Sequence, residues 1–232
     1  KRLFKVEYSV RGMTHWLHAN GFRHKKPQPK PAKADKKAQL DFVDYYQTLR
    51  DNLKADEIIY FADSSHPSHQ TKLAYGWIKS GVRKPVNMTS CQKRLNIIGA
   101  ISLESHQVEY AQVDWVNAES IKLFLRELIA KNPDKRVIHL IWDNAGYHKS
   151  KEIRSFLEGK NIKLHFLPPY SPNLNPIERL WKIMHEQVTY NQYYEKFKDF
   201  REAIMGFFEN IKNYQTIIRS RITDNFQKLA FA

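Results

Sequence analysis

Cysteine occurs once in the 232 residues, at Cys91, which excludes an internal disulfide and fits a reducing compartment. No apolar run approaches the roughly 18 residues of a membrane-spanning helix, so no membrane is expected among the partners. Paired Cys or His at zinc-ligand spacing are missing, which argues against a structural zinc. There is no G-x-S-x-G elbow to support serine-hydrolase chemistry. A glycine-rich phosphate cradle and an internal repeat are absent as well. The first residue is Lys1 rather than Met and no signal peptide is visible, so the chain is expected to be a piece of a longer protein lacking an N-terminal segment.

What is present is positive charge and one core's worth of apolar residues. At 42% hydrophobic, the chain can bury a full α/β core with room for a small helical module. The net charge of +14 is uneven. Residues 1–37 hold eleven Lys or Arg against Glu7 and Asp35, which is +9 of that total. Charge concentrated at one end is an expected footprint of nucleic acid, because each phosphate contact releases counterions. A solvated basic tail is the plain alternative.

The most informative stretch is 137–186. Val137 to Trp142 is a short β-branched and aromatic run that ends on Asp143, and Asn144, Ala145 and Gly146 then turn the chain. A helix is expected over 150–158 with Gly159 as its stop, followed by a strand over 162–167. Such a strand, helix, strand unit wants parallel strands, which puts Asp143 at the carboxyl edge of a sheet, where ligands of open α/β folds gather. After a proline-rich loop, Asn175-Pro176-Ile177-Glu178 opens a helix with Ile177, Leu180, Trp181, Met184 and Val188 on one stripe and Glu178 on its flank. Taken alone, Glu178 reads as part of a capping box, with Pro176 at the first helical position.

The segments WDNAGYHKS and LPPYSPNLNPIERLWK resemble the catalytic core of DDE transposases of the mariner superfamily, in particular the bacterial insertion-sequence branch. Asp143 and Glu178 have 34 residues between them, the spacing of that branch. The resemblance implies an α/β, ribonuclease H-like core: a mixed five-stranded sheet flanked by helices, with an N-terminal partial helix-turn-helix and a basic linker. It implies a catalytic and metal-binding triad of Asp63, Asp143 and Glu178. Ile58 to Ala62 reads as a strand ending on Asp63, whereas 108–113 ends on Asp114, so pattern alone leaves both aspartates open. The resemblance selects Asp63, although Ser64 stands where many relatives carry Glu. It also lets His148 contact the scissile phosphate or orient a water; a surface histidine at a helix start is the plainer reading.

Two Mg²⁺ ions about 4 Å apart, replaceable by Mn²⁺, suit such a carboxylate set, because hard ions select carboxylate oxygens. The implied activity is cleavage at the ends of a mobile element and strand transfer into target DNA. Its partners are double-stranded terminal inverted repeats and target DNA, bound by a homodimer in a synaptic complex in the bacterial cytoplasm, at the nucleoid. The rivals are a domesticated DNA-binding protein that keeps the fold without catalysis, and a nuclease of RNA-DNA hybrids.

Residues 1–22 then read as the remnant of a helix-turn-helix, 23–37 as a basic proline-rich linker and 38–232 as the catalytic domain. In the first, a helix over 9–20 has Val10, Met13, Trp16 and Leu17 on one face and Arg11, Thr14, His15 and His18 outward. In the linker, three prolines alternate with polar residues and six lysines, which favours an extended course. Arg11, His15, Arg23, Lys25, Lys26, Lys30, Lys33 and His148 are the candidate DNA contacts. An amphipathic helix over 40–53, strands over 94–103 and 107–113, a helix capped by Asn117 and a closing helix over 197–211 complete the expected elements.

Overall fold

Alternation of buried side chains on adjacent strands sets the centre of the protein. The structure is a computed structural model that describes residues 7–24, 33, 35–144 and 150–226. Strands β1 (Glu57–Ser65), β2 (Asn96–Ile101), β3 (Val108–Val113), β4 (Val137–Trp142) and β5 (Ile162–Phe166) form one sheet in the order β3-β2-β1-β4-β5. The first three are antiparallel neighbours, whereas β4 lies parallel to both β1 and β5. This is the mixed five-stranded sheet of a ribonuclease H-like core.

Helices cover both faces. Side chains two apart on a strand share a face, so Ile59 and Phe61 of β1 and Ile141 of β4 look one way, against α2 (Lys36–Asp51), α5 (Ile177–Met184), α6 (Phe197–Glu209) and α7 (Gln215–Arg221). Tyr60, Leu140 and Trp142 look the other way, against α3 (Ala118–Ala130) and α4 (Lys151–Leu157). Asn117 closes a capping box at the start of α3, its side chain accepting from Ser120 N while the Ser120 hydroxyl accepts from Asn117 N.

Several elements differ from expectation. α2 begins at Lys36, ahead of the expected 40, because Asp35 caps it by accepting from the amides of Lys37 and Ala38. β1 continues through Asp63 to Ser65, since β2 pairs with it along that whole length. α5 passes into a π-helical turn, His185–Thr189, and α7 is an element that the sequence pattern does not signal.

The chain divides into two compact units, Lys1–Ala32 and Lys33–Ala232. In the first, α1 (Val10–Ala19) is capped by Ser9 and ends at Asn20 and Gly21, the latter at φ +81°. Its expected apolar face is not buried: Val10 is 88% exposed and Trp16 46%. A lone ten-residue helix has no second described helix in its own unit to pack against.

Candidate active site

Asp63 and Asp143 reach one edge of the sheet by register. Phe61 and Ile141 are paired across the parallel β1 and β4, and each aspartate stands two residues further along the chain, Asp63 within β1 and Asp143 one residue past the end of β4. Period two therefore turns both carboxylates to the face on which α5 packs. Glu178 lies in the first turn of α5. All three carboxylates line one cavity of ≈ 420 Å³, together with Asn144, Asn175 and the loop from Pro168 to Ser171.

Asp114 is not part of it. It follows β3, two strands from β1 across β2 and away from β4, and its carbonyl accepts from the Asn96 side chain. The topology thus places Asp63, not Asp114, beside Asp143.

α5 begins differently from a capping box. Its N-cap is Pro176 with no side-chain cap bond, and Glu178 is free of that duty. The Asn175 amide instead donates to the carbonyl of Ala62, 3.1 Å away, and so ties the helix start to β1. One turn on, the Trp181 indole donates to Asp63 Oδ2 at 3.1 Å. The opposite wall is a proline loop fixed from α2, where buried Gln39 donates to Ser171 Oγ at 3.0 Å and accepts from the Asn173 amide. Tyr170 takes a positive φ of 56° there, a conformation its side chain tolerates only when its surroundings hold it. The Lys33 ammonium stands 5.9 Å from the ring of Tyr170, a residue that lines the carboxylate cavity.

A protein-family model described as DDE superfamily endonuclease matches residues 58–201, which include Asp63, Asp143 and Glu178. The chain belongs to that family. A second model, winged helix-turn helix, matches residues 1–46. The chain is 26% identical over 203 residues to an insertion element IS630 39 kDa protein of Shigella sonnei, covering 83% of this chain and 58% of that one. It is 35% identical over 82 residues to the transposable element Tc3 transposase of Caenorhabditis elegans, covering 34% of this chain and 25% of the relative. In fold it is similar to Mos1 transposase in a paired-end complex with the left transposon end, at TM-score 0.61 and 16% identity, covering 94% of this chain and 71% of that one. That likeness speaks for the fold.

Electrostatics mark the pocket of this DDE-family chain. Burial, with the Asp143 charge adding to it, pushes the Asp63 carboxyl up to about 6, against hydrogen bonds from the Ser64 amide and Trp181. Glu178 keeps an exposed side chain by surface area, yet the surrounding protein and the Asp63 charge push it up to about 7. Both shifts share their leading cause, burial, and a neighbouring carboxylate adds to each.

Of the other candidate residues, Arg11 and His15 lie exposed on α1. Arg23 donates to the carbonyls of His18 and Phe22 and so helps to close that helix. Lys25, Lys26, Lys30 and His148 fall outside the described residues. Sequence reasoning misses Gln39, Asn175 and the Trp181 indole as parts of the site. In the sequence Trp181 is only a member of the apolar stripe, and a pattern of apolar spacing carries no information on where its N–H points.

Proposed function

We propose that this chain carries the catalytic part of a DNA transposase, which cuts DNA at the ends of its element and joins them to target DNA. The carrying observation is the convergence of Asp63, Asp143 and Glu178 on one cavity at the sheet edge. The chain spans 58% of the insertion element relative, so the whole protein's reaction is inferred from a part of it.

A divalent metal fits the residues present. Three carboxylates supply hard oxygen donors, and two of them, pushed up first by burial and then by a neighbouring carboxylate, favour a proton or a cation over a bare charge. Among the described residues no three His, Cys, Asp or Glu side chains are grouped tightly enough to hold one ion together. Mos1 structures of similar fold have been solved with Mg and with Mn. Bound there, Mg²⁺ supplies charge neutralisation at a phosphodiester and activation of the attacking oxygen. Asp63 on β1, Asp143 just past the end of β4 and Glu178 in the first turn of α5 would hold such an ion, and the loop from Pro168 to Ser171 lines the same pocket.

The surroundings suit a polyanion. A second cavity of ≈ 540 Å³ shares Pro172, Asn175 and Glu178 with the first and adds Arg179, Lys182 and Arg221. In this reading Lys33 and the basic residues before it follow DNA into the site, Arg11 and His15 touch DNA from α1, and two element ends bring two copies of the chain together. Residues 1–22, 23–37 and 38–232 then serve as DNA-binding remnant, linker and catalytic domain, at work on the bacterial nucleoid.

Incubating the purified chain with Mg²⁺ and duplexes carrying the terminal repeats tests this. The parent nicks and joins the ends, and Asp143→Ala reduces both by more than about 100-fold while binding the same duplex equally well. Equal cleavage by parent and variant overturns the catalytic assignment of Asp143, and cleavage by neither leaves DNA binding as the function.

A further inference from the structure

We propose that Trp181 and Asn175 are positioning residues, which clamp the start of α5 onto β1 and thereby fix the Asp63 and Glu178 carboxylates relative to one another. The inference rests on the catalytic reading of the triad and adds to it the device that holds two of its members in register. Asn175, Glu178 and Trp181 stand three residues apart, and the outer two bond consecutive residues of β1. Asn175 takes the Ala62 carbonyl and Trp181 takes Asp63 Oδ2. Glu178 is thus held between two fastenings to the strand that carries its partner carboxylate.

The indole bond is built rather than incidental. Trp181 is 5% exposed, and a buried indole N–H left without an acceptor would be costly. The acceptor it uses is Oδ2 of Asp63, a carboxylate that also accepts from the Ser64 amide, and the bond fixes the carboxylate rotamer. Room for the ring comes from Gly99, the residue of β2 directly across from Asp63. A Cβ on Gly99 would sit 2.5 Å from Trp181 Cη2, closer than real contacts allow, and 3.4 Å from Ile177 Cδ1. The residue opposite the first aspartate is therefore small because the ring that orients that aspartate lies over it. The second fastening has a similar mark: Asn175 is 4% exposed, lines the carboxylate cavity, and its Oδ1 is buried with no hydrogen-bond partner. Such an acceptor suits a water held in the pocket.

Trp181→Phe keeps an aromatic ring, removes the donor and vacates part of the space over Gly99, whereas Asn175→Ala tests the clamp without touching that ring. The test titrates Mn²⁺ into the full chain without DNA, by calorimetry and by electron paramagnetic resonance, for the parent, Trp181→Phe and Asn175→Ala. Thermal unfolding in EDTA and duplex binding serve as controls. The expected result is Mn²⁺ affinity weakened by about 10–100-fold in each variant, the range for losing a partner that orients a metal ligand, with duplex binding unchanged. If Trp181→Phe does not fold, Asn175→Ala reads the same clamp from its other end. Parent-like Mn²⁺ affinity in a folded variant overturns the clamp and leaves the triad reading intact. A parent that binds no Mn²⁺ overturns the triad reading, and the clamp with it.

Discussion

Glu178 and Asp63 are the residues whose protonation most directly reports on the site. Each has a folded-state pKa raised above its ordinary value, from 4.5 to about 7 for Glu178 and from 3.8 to about 6 for Asp63. The protonated form is therefore the one the metal-free fold prefers, and stability present at low pH is lost as pH rises through these values. Glu178→Gln should then gain on the parent in thermal unfolding with EDTA as pH goes from about 4.5 to about 8. Solvent access to Glu178 keeps the gain smaller than the shift alone implies. Saturating Mg²⁺ should abolish it, since the cation replaces the proton. His165 has the opposite slope: burial, with His139 and Lys163 nearby, lowers it to about 4, so its contribution is lost as pH falls below about 6.5. The two trends separate by substitution, because Glu178→Gln leaves the histidine slope in place.

At the scale of elements, two glycines of the same chain should respond to alanine with opposite signs. Gly99 lies under Trp181 on a fully paired strand, so Gly99→Ala should destabilise by about 1–3 kcal/mol, as overpacking does. Gly206 sits within α6 with nothing near an added Cβ, so Gly206→Ala should stabilise by about 0.4–1 kcal/mol. Chemical denaturation of both variants checks the pair. Legibility in the sequence divides along a similar line. The run from Val137 to Trp142 announces a buried strand, and Asn117 announces a helix start, because each signal is local. The role of Gly99 is not legible, because it depends on a tryptophan 82 positions later in the chain. Asn175 looks like a helix cap for the same reason: the Ala62 carbonyl that claims its amide belongs to a distant strand.

For the whole molecule, the dominant property is the uneven +14 charge. If the basic stretch tracks a DNA backbone, replacing Lys25, Lys26, Lys30 and Lys33 by Ala should lower the slope of log affinity against log salt by about 0.9 for each phosphate that is no longer neutralised. The weakening should be similar for all duplex sequences, because phosphate contacts carry no sequence information. Fluorescence anisotropy across a salt series reads both. An unchanged slope would make the stretch a spacer.

The sequence by itself determined the strands and most helices, the family, and the two acidic residues in their spaced motif, because hydrophobic period, cap chemistry and motif spacing are written along the chain. Tertiary structure put Asp63, and not Asp114, in the cavity that Asp143 and Glu178 line, since only strand order says which aspartate neighbours β4. It also decided what Trp181, Asn175 and Gln39 do. A side chain's hydrogen-bond partner across the fold depends on register and packing angle, and neither is a property of any single segment.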